Sequence, residues 1–292
     1  MKEMRLSAAI AATVLSALWI SNATAQNLFV SDYTTTGSIY EYTLGGTQST
    51  FAANINGPAG MAIDGAGNLY VASVGDHNIY KYTPGGTQTT FATGVGNPIG
   101  LAFDSVGNLF VSDETGNNIY KITSDGTQST FATGLNFPVG MAFSGAGNLF
   151  VSDLLSGNIY EYAPNGSRST FASGISAPDG LAFDSAGNLF VAANGSDSIL
   201  KITSDGTQSI FATGLDSPYF LAFDSIGNLY EADNGSGNVY KYTSDGTQSL
   251  FASGLDAPDG IIVSAPEPST LALTGLGVVF AVLGLRRPRP VN

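Results

Sequence analysis

The sequence predicts an all-β fold: a six-bladed β-propeller of four-stranded antiparallel blades, closed by a C-terminal strand that completes the N-terminal blade. Three observations carry this prediction. Prolines recur 40 residues apart at Pro58, Pro98, Pro138, Pro178, Pro218 and Pro258, and the register runs without a gap from residue 39 to 262. Each period holds short apolar-alternating runs separated by turn residues, with no stretch left over for a helix. The count also closes. The motif after proline occurs at Gly60, Gly100, Gly140, Gly180, Phe220 and Gly260, and the Asn-Leu motif at Asn27, Asn68, Asn108, Asn148, Asn188 and Asn228. The chain therefore enters on a second strand, and Gly260-Ile-Ile-Val263 supplies the missing first strand, which removes the open edges of the ring.

One unit shows the elements in order. Gly180-Leu-Ala-Phe-Asp184 alternates and reads as the first strand. Ser185-Ala-Gly187-Asn188 is a turn, and Leu189-Phe-Val-Ala192 the second strand. Asn194-Gly-Ser-Asp197 is a loop before the third strand, Ile199-Leu-Lys-Ile-Thr203. Ser204-Asp205-Gly206 is a tight hairpin, because Asp-Gly tolerates the positive φ such turns require. Gln208-Ser-Ile-Phe-Ala212 is the fourth strand. The 37 glycines are thus turn chemistry rather than flexibility. Tyr40, Tyr80, Tyr120, Tyr160 and Tyr240 recur in the third strand, with Leu200 in the remaining unit, and read as packing between blades.

Composition excludes several functions. Of 292 residues, 43% are hydrophobic and only 11% charged, which argues against disorder. There is no cysteine, so no disulfide scaffold and no thiolate metal site. His77 is the single histidine, too few for a histidine zinc cluster, and it reads as an exposed loop residue beside Asp76. A net charge of −13 argues against nucleic acid, which needs a basic footprint.

Both ends read as export machinery. Residues 1–25 combine a basic start, an apolar run from Leu6 to Ile20 and Ala23-Thr-Ala25, the parts of a secretory signal peptide with cleavage between Ala25 and Gln26. Residues 26–264 are the propeller. Residues 265–292 hold Pro266-Glu267-Pro268, an uncharged apolar stretch over residues 271–285, and Arg286-Arg287-Pro288-Arg289. The stretch is short for a full span but predicts an inner-membrane stage, with the arginines holding its end on the cytoplasmic side.

This three-part tail resembles the PEP-CTERM sorting signal of Gram-negative bacteria. The resemblance implies processing by an exosortase after signal peptidase, and delivery to the cell surface or beyond in organisms that make exopolysaccharide. The body consensus, Pro-x-Gly-Leu-Ala-Phe-Asp-x-x-Gly-Asn-Leu-Phe-Val-Ser-Asp, resembles the NHL repeat and the wider six-bladed TolB-like propellers. That group includes the senescence marker protein/gluconolactonase-like lactonases. Its lactonases hold a divalent metal in the channel, and Asp179 and Asp259, each in Pro-Asp-Gly, are similar to the metal-binding Asp position. The Glu and Asn that complete the family's triad have no match.

Identical repeats are scaffold, so candidate site residues are those that break the pattern. Position x of Pro-x-Gly is expected at the central channel and holds Ala59, Ile99, Val139, Asp179, Tyr219 and Asp259. The unit at Pro218 departs further, with Phe220 for Gly and Glu231 for Val, followed by Asp233. Asp179, Tyr219, Asp233 and Asp259 are therefore expected to form an acidic, aromatic channel mouth. Such oxygens suit Ca2+ or another hard divalent cation, or they accept hydrogen bonds from loop amides. The functional expectation is a monomeric, non-enzymatic, surface-sorted binding module whose partner is exopolysaccharide or an envelope protein. The alternative is a metal-dependent, gluconolactonase-like hydrolase.

Overall fold

The computed structural model describes residues 26–265. Ala25, Pro266, Glu267, Pro268, the apolar stretch at 271–285, Arg286 and Arg287 lie outside the described residues. Among the described residues, no helix is long and apolar enough to cross a membrane.

The described chain is a ring of six four-stranded antiparallel sheets. Blade 1 is built from both ends of the body: Pro258–Val263 pairs with Asn27–Asp32, followed by Gly37–Thr43 and Gln48–Ile55. Blades 2 to 6 follow in sequence, beginning at Pro58, Pro98, Pro138, Pro178 and Pro218. The first strands touch one another in order around the ring, the last against the first. The closure is latched outside the ladder as well. Ser264 N donates to Asn27 O at 2.8 Å, Asn27 N donates to Ser264 Oγ at 2.9 Å, and Gln26 Oε1 accepts from Ser225 N at 3.0 Å. The loop expected after the second strand of blade 5 contains one 3-10 turn, Asn194–Ser196.

Two local rules build each blade. At Pro-x-Gly the register shifts: Pro138 pairs with Asp153, but Met141 pairs with Val151. This bulge turns residue x toward the channel. The glycine after it is a steric requirement, because a Cβ on Gly100 would stand 2.1 Å from the carbonyl oxygen of Val139 in the next blade. The serine of Val-Ser-Asp locks the contact. Ser112 Oγ accepts from Gly100 N and donates to Val139 O, both at 2.7 Å.

The core lies in the seams between blades. In the seam of blades 3 and 4, Phe110 packs edge-on to Phe131 of its own blade and Phe143 of the next, with centroids 5.0 and 5.1 Å apart. Tyr160 packs on the same apolar cluster, as expected for the tyrosine series. Such edge-on contacts add about 0.5–1.5 kcal/mol each beyond area burial.

Each first strand runs from the channel mouth to the opposite face. Residue x lies at its mouth end, and the Asp-x-x-Gly-Asn turn lies at the other. Gln26 and Ala265 flank one surface hollow at the turn end, away from the mouth.

Candidate functional site at the channel mouth

Most of the mouth comes from three register positions of blades 1 and 3 to 6: the residue before proline, the residue after it, and the residue that follows the end of the second strand. Together they line a pocket of about 350 Å3. Asp179, Tyr219 and Asp259 are brought together there, as the sequence leads one to expect. Ile99 and Val139 form its apolar side.

The two aspartates are 6% and 7% exposed, and one carboxylate oxygen of each, Oδ1, has no hydrogen-bond partner. Burying a charge without a partner is costly, so the acid form is favoured. Burial, then the charges of Asp259 and Glu114, pushes the Asp179 carboxyl well above its ordinary value. Burial, then Glu114, pushes Asp259 up to about 7. Tyr219 is raised by burial and by Asp179, Asp259, Glu114 and Tyr33. No cation at the mouth opposes these effects. The five Lys and Arg side chains of the described body are engaged elsewhere: Lys81, Lys121, Lys201 and Lys241 lie over the rings of Tyr70, Phe110, Phe190 and Tyr230, and Arg168 lies over Tyr160.

Asp233 goes elsewhere. It is buried and accepts from the backbone N–H of Asp216 at 3.0 Å through Oδ1 and 3.1 Å through Oδ2. Asp32, Asp113 and Asp153 make the same kind of clip to Ala257, Asn97 and Asn136. It therefore fastens the loop entering its own blade rather than lining the mouth. Glu231 sits in the apolar seam, 0% exposed, with neither oxygen partnered; burial, then Asp233, pushes it up to about 9. His77 is exposed, and its Nδ1 is 2.6 Å from Gly96 O. The Asp104 turn is a hairpin, its carboxylate accepting from Val106 N, Asn108 N and Asn108 Nδ2.

Glu114 is the mouth residue that sequence reasoning missed. It lines the pocket, and Asn97 Nδ2 donates to its Oε2 at 3.3 Å. Its signal was present: the position after the clipping Asp reads Tyr33, Val74, Glu114, Leu154, Asn194 and Asn234, a second variable series in the same 40-residue register. All but Val74 line the pocket. Phe137 also lines it, at a φ of 69°, with its N–H held by Asn117 Oδ1 at 2.8 Å. A bulky residue in that region is strained and concentrates at functional sites.

The metal expectation on Asp179 and Asp259 fails on the donor set. Among the described residues, no three acidic, histidine or cysteine side chains converge so that they could hold a metal ion. Calcium takes about six to eight oxygens, and Asp179 and Asp259 carry four between them. No chemical step through a metal follows from this site.

Residues 106–223 match the SMP-30/Gluconolactonase/LRE-like region, and residues 264–287 match the PEP-CTERM protein-sorting motif. No curated protein matches the chain. Among solved structures, a chain of the nidogen/laminin complex is similar at 22% identity and TM-score 0.75, covering 83% of this chain and 100% of that one. A virginiamycin B lyase from Staphylococcus aureus is similar at 18% identity and TM-score 0.60, covering 73% of this chain and 76% of that one. A gluconolactonase from Xanthomonas campestris is similar at 17% identity and TM-score 0.63, covering 70% of this chain and 78% of that one. At these identities the likeness is one of fold. The chain is a six-bladed β-propeller that is similar over residues 106–223 to the SMP-30/Gluconolactonase/LRE-like region and carries a PEP-CTERM protein-sorting motif at residues 264–287.

Proposed function

We propose that this chain is an exported, surface-sorted binding module that takes its ligand in the channel mouth without catalysing a reaction. The observation that carries the reading is the pair Asp179 and Asp259: nearly buried carboxylates that line an open pocket, each with an unpartnered oxygen. Buried polar groups are ordinarily satisfied, and an exception invites a ligand. The sorting motif at residues 264–287 supports export, with processing by signal peptidase and an exosortase, and delivery to the outer surface. Exopolysaccharide and envelope proteins are the partner classes met there.

The test is co-sedimentation of the full-length chain, in detergent, with exopolysaccharide and envelope fractions of a Gram-negative bacterium that carries this sorting system. Retention falls at least about tenfold in Asp179→Asn/Tyr219→Ala, about 1.4 kcal/mol of binding. Equal retention of the variant would sink the reading.

A second reading has a specific observation in its favour. The match at residues 106–223 and the gluconolactonase neighbour suit a lactone hydrolase. Against it stands the donor set: among the described residues, no three acidic, histidine or cysteine side chains converge on one point. Turnover of gluconolactone above background, stimulated by Ca2+ or Zn2+ and lost in Asp179→Asn, would establish it. On the binding reading, the melting temperature is indifferent to EDTA and to added Ca2+.

A further inference from the structure

The mouth is unusual in what it lacks. Three carboxyl groups, on Glu114, Asp179 and Asp259, face a single pocket, and no lysine, arginine or histidine lines it. The other titratable groups that face them are Tyr33 and Tyr219 from the pocket wall, and Asp113 behind Glu114. All become more negative when they ionise. Two of the three carboxyls are more than nine-tenths buried with a free oxygen. The remaining wall is aromatic and amide: Tyr33, Phe137, Tyr219 and Phe220, with Asn194 and Asn234.

Three ligand chemistries compete for such a wall. An anion is repelled. A divalent metal is best held by three or more convergent acidic, histidine or cysteine side chains, and the described residues make no such group. A neutral hydroxylated ligand would meet carboxylic acids that can each donate one proton, but it would leave the mutual repulsion of the ionised forms unrelieved. An organic cation answers every feature. Its N–H groups donate to the carboxylates that line the pocket in charge-assisted hydrogen bonds, its charge offsets the repulsion, and its carbon stem lies against aromatic faces that attract cations. Resting on the mouth as the ligand site, we propose that the pocket recognises a primary ammonium head on a short alkyl stem, held by Asp179 and Asp259 with Glu114 adding charge.

Proton linkage gives the inference its signature. With Asp259 near 7 and Asp179 raised, the empty mouth holds protons that the cation displaces. Affinity therefore rises with pH, and binding releases protons into the buffer.

The experiment is calorimetric titration of the full-length chain in detergent with butylammonium chloride, at about pH 6 and about pH 8, in two buffers of different ionisation enthalpy. Saturable binding is expected, about tenfold tighter at the higher pH, with buffer-dependent heats that report proton release. Butan-1-ol, the neutral counterpart, does not bind. Asp179→Asn/Asp259→Asn abolishes binding while the circular dichroism spectrum stays unchanged. Glu114→Gln, a partly exposed position, weakens binding severalfold and guards against loss through misfolding. Butanol binding as tightly as the ammonium, an affinity independent of pH, or displacement of the ammonium by stoichiometric Ca2+ would each overturn the inference. If the ammonium fails while mouth-dependent retention of the exopolysaccharide and envelope fractions persists, this inference falls alone. If both fail, the binding reading falls with it.

Discussion

Asp179 and Asp184 stand at opposite ends of one strand of blade 5, and their surroundings are opposite. Asp184 accepts from Ala186 N at 3.0 Å, Asn188 N at 2.8 Å and Asn188 Nδ2 at 2.7 Å, with Lys201 Nζ 3.7 Å away. Burial alone would raise it, but these hydrogen bonds and Lys201 hold it below its ordinary value. Asp179 has a free oxygen and only negative neighbours. The contrast repeats around the ring. At the turn end Asp64, Asp104 and Asp224 are satisfied like Asp184. At the mouth end every blade differs. The repeat thus satisfies its recurring turn-end aspartates within each blade, while the aspartates that break the pattern at the mouth keep an unpartnered oxygen.

The comparison can be broken first at a seam. Gly100→Ala pushes a methyl into Val139 O and is expected to cost about 3 kcal/mol, lowering the melting temperature by about 10 °C. A variant as stable as the parent would show that the bulge glycines are not structural. Next comes Glu231, a seam carboxyl with neither oxygen partnered. Val71, Val111, Val151 and Val191 occupy its place in other blades, each 0% exposed. Glu231→Val is expected to stabilise by about 2 kcal/mol at neutral pH, read from denaturant unfolding. Its folded value, about 9, lies above the unfolded one, so its contribution is fully present below about pH 4.5 and is lost as pH rises through 9. The valine variant removes that decline; an unchanged pH profile would place the glutamate in water.

Asp179→Asn/Asp259→Asn is expected to stabilise by about 1 kcal/mol while binding is lost, because the asparagines are never charged. Both folded values are raised, so the parent loses stability as pH rises above the ordinary carboxylate range, for Asp259 between about pH 4 and 7, and the variant does not. Destabilisation instead would mean that the carboxylates serve the fold. The smallest effect is at the turn end. Asp184→Ala is expected to cost about 1 kcal/mol in thermal unfolding and to leave mouth binding untouched.

The ring was legible in the sequence because its period is unbroken, so every strand could be phased against five others. The first strand of blade 5 begins at Pro178 and its outer strand ends at Thr213, each extending slightly past the sequence-based bounds. The mouth was legible only where a position had already been aligned to the channel. Asp179, Tyr219 and Asp259 stood out at position x of Pro-x-Gly. Glu114 did not, because its series lies in a loop, where charge is ordinary and periodicity gives no direction. Asp233 was drawn in by its acidic neighbourhood, yet it follows the repeat, and its carboxylate goes to a loop amide. Glu231 breaks the repeat, but strand alternation aims it into the seam rather than the mouth.

The strand Pro258–Val263 has a mechanical consequence. It carries Asp259 at its mouth end, pairs with Asn27–Asp32 along its length, and passes directly into Ser264 and Ala265 at the other end. Pull between a ligand in the mouth and the C-terminal tail would run lengthwise through this single strand. Its ladder would then be loaded in shear, with several hydrogen bonds bearing force together rather than opening one by one. The strand that closes the ring therefore also joins the channel mouth to Ala265 at the opposite face.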